Sequence, residues 1–177
     1  MNDNSKLIRI MALTALVLQA ISAMVFCIAH LFPKPILTLV ASESVIEHIA
    51  PENSGRYTDA LAHPLLFVGP MLQLIVVAGF CFMLLQEQKK PTSFSGVLMI
   101  LIPAAAAVLS LVLMGVATFS TITISRLYDA ETMAIVSLVN SVSSRTGILT
   151  APVLPLLAAA AGFNRYRYTV MSQTEQS

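Results

Sequence analysis

The chain has 177 residues, 56% of them hydrophobic and only 11% charged, with a formal net charge of +1. Soluble domains carry roughly a quarter charged residues, so this composition and a mean hydropathy of +0.81 exclude a water-soluble globular fold and point to an integral membrane protein. No basic tract is present to bind nucleic acid, and the near-zero net charge conceals a sorting of signs along the chain.

A hydrocarbon core takes about 20 consecutive apolar residues as helix. Four stretches supply them, at residues 8–32, 64–85, 97–118 and 146–163. These runs are continuous and lack the alternation in blocks of about ten residues that a membrane β-barrel shows. The expectation is a single all-α membrane domain, a four-helix bundle with a short external amphipathic helix in its first loop.

Lys6 and Arg9 anchor the first helix, along which Ala12, Ala15, Gln19, Ala23 and Cys27 recur at three- and four-residue spacing. Such a small-residue face lets membrane helices approach closely. A basic start before an apolar run also resembles a secretory signal, but this run is about twice a usual signal core and has no small-x-small exit. Phe26, standing before Cys27, opposes lipoprotein processing.

Pro33 and Pro35 end the first helix. Beyond them Ile36, Leu37, Leu39, Val40, Ile46 and Ile49, interleaved with Ser42, Glu43, Glu47 and His48, predict an amphipathic helix at the outer membrane interface. Residues 51–55 carry turn chemistry, and 59–64 predict the start of a helix with Pro64 in its first turn.

The second helix holds Gln73. Gln19 lies about ten residues from the inner end of its helix and Gln73 about nine from the outer end of its own, so both fall near the bilayer midplane. A hydrogen bond between them would contribute roughly 0.6–2 kcal/mol, enough to favour one packing register. Lys89 and Lys90 then fasten a short inner loop.

Residues 96–164 form a long hairpin of two apolar runs joined by a charged turn, Arg126 to Glu131. In its first arm Pro103 removes a main-chain donor, and Ala104 to Ala107 with Ser110 predict a close-packing face. From Thr118 polar and apolar residues alternate, which suits either an external extension of the helix to about 126 or a short strand over 121–125. The second arm, 132–163, opens with a polar external extension and continues as the fourth span. Its Gly147, Ala151, Pro155 and Ala159 predict a small ridge, while Pro152 and Pro155 deprive the carbonyls of Ile148 and Ala151 of donors. Residues 164–177 form a basic, then polar, tail expected to be disordered.

Orientation follows the cations. With the N-terminus inside, Lys6, Arg9, Lys89, Lys90, Arg165 and Arg167 are cytoplasmic, against Lys34, Arg56 and Arg126 outside and Arg145 near the outer boundary. Glu43, Glu47, Glu52, Asp59, Asp129 and Glu131 are external, and only Asp3, Glu87 and Glu175 internal. Both termini are then cytoplasmic, as in a multi-pass protein of a bacterial inner membrane. Cys27 and Cys81 lie about 15–20 Å apart in depth, too far for a disulfide.

His30, His48 and His63 all fall on the external side, and Asp59 with His63 shares the i, i+4 spacing of metal ligands, as does Glu43 with Glu47. Short polar loops gather such residues without a metal, and neither a metal nor a haem between His30 and His63 is expected. No zinc-protease, phosphate-loop or triad pattern is present, so no enzymatic activity is expected. Away from their ends the spans hold no charged group, Arg145 standing at the border about 27 Å along the helix from Phe163, which disfavours an ion-coupled pump.

The expected function is a non-enzymatic accessory or partner-binding subunit of a membrane complex, without cofactor or nucleic acid. The alternative is a homo-oligomeric channel or carrier with an external vestibule lined by Ser and Thr. In either case the candidate working surface is Arg145 with Thr118, Thr121, Ser125, Asn140, Ser141 and Ser144.

Overall fold

A continuous apolar run can satisfy every backbone N–H and C=O within one segment only as a helix. The computed structural model describes residues 3–33, 54–87, 94–144 and 147–174, and every regular element among them is helical. These elements are α1 (Asp3–Leu31), α2 (Ser54–Leu61), α3 (Pro64–Glu87), α4 (Phe94–Leu127), α5 (Ala130–Ser144), α6 (Gly147–Thr150) and α7 (Val153–Thr174). The expected amphipathic segment with Glu43, Glu47 and His48, the inner-loop lysines and Arg145 lie outside the described residues.

Among the described residues three helical segments are long and apolar enough to cross a membrane: Ser5–Leu31 in α1, Tyr57–Glu87, which joins the end of α2 to α3, and Val97–Leu127 in α4. Their most apolar windows are only 28%, 17% and 17% buried within the protein. The side chains left outside, among them Leu13, Val17, Ile75, Phe82, Ile100 and Val108, suit hydrocarbon and not water.

The chain divides into two compact units. One gathers the described parts of Met1–Ile21, Gln73–Leu111 and Ile148–Ser177. Its core takes one face from each of four helices: Ile8, Ala12 and Ala15 of α1, Val77, Cys81 and Leu84 of α3, Leu98 and Ile102 of α4, and Val153, Leu157, Ala160 and Ala161 of α7. Each set follows the three- and four-residue spacing of a single helix face. Alanines bring α1 near enough to α3 for the Cys81 thiol to donate to the Ala12 carbonyl at 3.4 Å. Both cysteines are free thiols.

The second unit gathers the described parts of Ser22–Leu72 and Val112–Gly147. Here Tyr57, Ala60 and Leu61 of α2 pack on Ile135, Val136 and Val139 of α5, with Ala29 of α1 in the same core. In this unit α3 and α4 also approach closely at Gly69, where an added Cβ would stand 3.2 Å from the Leu113 side chain. Nearby, the Ser120 hydroxyl donates to the Leu65 carbonyl at 3.1 Å.

Several local expectations are revised. Residues 121–125 are helical, not a strand, because α4 runs unbroken to Leu127. Ser54 and Gly55 open α2 instead of forming a turn, and Asp59 lies inside that helix. Ala104, Ala107 and Ser110 are exposed, so this face of α4 is not a packed one. The fourth apolar run is interrupted: α6 ends at Thr150, α7 begins at Val153, and the expected ridge is replaced by Val153, Leu157, Ala160 and Ala161. The spacing from Gly147 to Ala159 assumed one continuous helix, and the break beside Pro152 resets its phase.

Ala12 is fully buried while Leu13 beside it is half exposed. Enlarging Ala12 to Leu should therefore destabilise the detergent-solubilised protein by about 1–3 kcal/mol through overpacking. Leu13→Ala should leave its melting temperature nearly unchanged. Equal effects at the two positions in a thermal melt would contradict the assignment of the buried face.

Candidate functional site

Polar groups placed on otherwise apolar helices must find partners inside the protein, and they mark where an apolar scaffold has been given a specific task. In the second unit they centre on His30, in the last turn of α1 and 1% exposed. Its ring stacks on Phe26 at 4.0 Å between centroids and meets Phe67 edge-on at 5.9 Å. Phe26 and Phe67 complete the set, edge to face at 5.7 Å.

Both ring nitrogens are engaged. Nδ1 lies 3.0 Å from the Phe26 carbonyl, which can only accept, so Nδ1 carries a proton. Nε2 lies 2.9 Å from Oδ1 of Asn140 on α5. With that oxygen facing the ring, the imidazole is doubly protonated; turning the Asn140 amide end for end presents its NH2 and leaves the ring neutral. Either way His30 joins α1 to α5, and neither nitrogen can bind a haem iron or other metal without giving up a hydrogen bond.

Two further polar contacts hold α5 in this unit. Asp129 caps it, its carboxylate accepting from the Thr132 N–H at 2.8 Å and its carbonyl from the Met133 N–H at 3.0 Å. The Tyr57 hydroxyl donates to the Glu131 carboxylate at 3.1 Å, linking α2 to the first turn of α5. Among the described residues no group of three or more His, Cys, Asp or Glu side chains is arranged to hold a metal ion. His63 is half-buried after α2, with Nδ1 accepting from the Leu65 N–H at 3.4 Å, and His48 lies outside the described residues.

The hydroxyl residues of the proposed working surface are arranged differently from Asn140. Thr118, Thr121 and Ser125 are exposed on one face of α4 and donate to carbonyls of their own helix, those of Met114, Ala117 and Ile122, at 2.8, 2.8 and 3.0 Å. Ser141 is likewise exposed and donates to the Leu138 carbonyl at 2.7 Å. Ser144 closes α5. Asn140 is thus drawn toward His30, while the described hydroxyls lie on outward faces.

In the first unit Gln19 and Gln73 line one cavity together with Thr150 and Val153. Gln19 is 2% exposed, and its Oε1 has no hydrogen-bond partner. The two amides are brought to the same place, but Gln73 does not donate to that oxygen.

Sequence reasoning did not find the His30 to Asn140 and Tyr57 to Glu131 contacts. They join residues 110 and 74 positions apart, and periodicity along a single helix carries no signal for such pairs. The available clue was that an imidazole on an apolar helix requires a donor or acceptor from another helix.

The His30 to Asn140 bond predicts coupling in a double-mutant cycle. His30→Phe keeps the ring stack, Asn140→Leu removes the amide, and the double variant should lose less stability than the sum, by about 0.6 kcal/mol and up to about 1.7. Additive losses in denaturant titrations would show that the bond contributes nothing.

No protein-family model, no curated protein and no solved structure matches this chain.

Proposed function

We propose that the chain is a polytopic membrane protein with four spans and both termini cytoplasmic, acting as a non-enzymatic accessory subunit that receives a partner's helix on the outer half of α4. The apolar exposed faces of α1, α3 and α4 support the membrane setting. The excess of cations on one side and of acids on the other supports the orientation.

One observation carries the partner assignment. Thr118, Thr121 and Ser125 stand exposed on a single face of α4, yet their hydroxyl protons are taken up by carbonyls of the same helix. Such a face is slim and carries no unsatisfied donor, which suits close packing against another helix more than it suits lipid tails. Neighbouring Gly115 leaves its position open, with no atom within 4 Å of where a Cβ would stand. Arg145 on the same external side then serves an anionic group of the partner or a lipid phosphate.

A homo-oligomeric channel that turns the same hydroxyls inward is the competing function. A single cysteine at Thr121, with Cys27 and Cys81 replaced by Ala, separates the two when combined with native mass and solute flux in liposomes. A cross-link to a different protein without flux is expected. A symmetric self-cross-link with flux would favour the channel, and no cross-link at all would remove both uses of this face.

Topology is tested by single cysteines at Ser54 and Ser95 in the same background. An impermeant thiol reagent on intact cells should label the first and not the second. The reverse pattern would invert the orientation, and labelling at both would undo the four-span count.

A further inference from the structure

The packed face of α1 in the first unit is made of small side chains, Ala12 and Ala15, until Gln19 takes the next position along it. A glutamine buried to 2% exposure with Oε1 unbonded is a standing demand for a hydrogen-bond donor. Gln19 borders a cavity of about 30 Å³ whose walls include Gln73 of α3, Ala106 and Leu109 of α4, and Thr150 and Val153.

The helix break lies at the same place. Thr150 ends α6 and Val153 begins α7, one on each side of the break and both in the cavity wall. Pro152 and Pro155 have no N–H, so the carbonyls of Ile148 and Ala151 receive no main-chain donor from four residues further on. Irregular backbone at membrane depth is stable where it is covered by protein or lines a cavity that holds water. The unbonded Gln19 oxygen and the interrupted helix thus meet at one cavity, from different elements of one unit.

Size and chemistry limit the occupant. About 10–15 Å³ of such space is enough for one water, so the cavity takes one or two small groups. Its walls carry no charged side chain, and a desolvated ion would need several oxygen ligands or a counter-charge. We propose that this cavity is a binding site for a neutral O–H donor, a water molecule or the hydroxyl of a small amphiphile, which donates to Gln19 Oε1. The Gln73 amide, offering both donors and an acceptor, supplies the second polar wall. Occupation satisfies Gln19 without a direct bond between the two glutamines and makes the packing of α1 on α3 depend on the ligand.

Solid-state NMR on the full chain in phosphatidylcholine bilayers tests this, by following magnetisation transfer from water protons to valine methyls. Transfer is expected at Val77 and Val153, which line the cavity, and not at the exposed Val108. Ala106→Leu, which fills the cavity from its wall while leaving Gln19 in place, should abolish it. If transfer at Val77 and Val153 arises only after 1-butanol is added, and from its hydroxyl, the donor is an amphiphile and the site stands. The wild-type contrast between cavity and exposed valines needs no variant to fold. Absence of transfer from both water and butanol, or equal transfer at Val108, overturns the proposal.

Discussion

Within hydrocarbon no solvent is present to complete an unmade hydrogen bond, and the organisation of this protein follows from that constraint. The backbone meets it in that every regular element among the described residues is helical. Hydroxyl side chains meet it by bonding to their own helix, as Ser110, Thr118, Thr121 and Ser125 do. Side chains that cannot close on themselves must reach another helix. Beyond the Phe26 carbonyl of its own helix, His30 therefore reaches Asn140 of α5, and Ser120 reaches the Leu65 carbonyl of α3. Gln19 Oε1 stands outside this pattern, and a small cavity lies beside its side chain.

Lipid tails are as apolar as leucine, so burying leucine between helices gives little net stabilisation, and close van der Waals contact has to hold the helices together. The two cores reflect this. Ala12, Ala15, Ala160 and Ala161 line the first, Ala29 and Ala60 enter the second, and many of the large apolar side chains of α1, α3 and α4 are left facing outward. In the second unit, where α2 and α5 carry more polar residues, the Asp129 cap and the Tyr57 to Glu131 bond add directional contacts to that packing.

The long helices α1, α3 and α4 were legible in the sequence, because long apolar runs bounded by charges and prolines admit few alternatives, whereas α7 runs on to Thr174 through a tail expected to be disordered. So was the α1 face, where Ala12, Ala15, Gln19 and Ala23 are all buried. Spacing failed where continuity was assumed. The ridge from Gly147 to Ala159 presumed a helix that Pro152 interrupts, and of the alanines at 104 to 107, presumed to share one packed face, Ala104 and Ala107 are exposed while Ala105 and Ala106 are half-buried. The polar site was only partly legible. Depth counting brought Gln19 and Gln73 to one place, but could not show that a cavity, and not a bond, lies between them and their surroundings. The hydroxyl-rich stretch after Thr118 suggested a polar cleft, whereas serine and threonine in a helix are commonly satisfied by their own backbone and need no cleft at all.

Membrane insertion of α1, α3 and α4 with their large apolar side chains toward lipid underlies every functional statement made for this chain. Collision accessibility of nitroxide spin labels at Leu13, Ile75 and Val108, each exposed in the first unit, measures it directly in reconstituted bilayers. Oxygen, which concentrates in hydrocarbon, should relax all three labels more strongly than a water-soluble nickel chelate does. Stronger relaxation by the chelate at any of them would place that helix face in water and contradict the account.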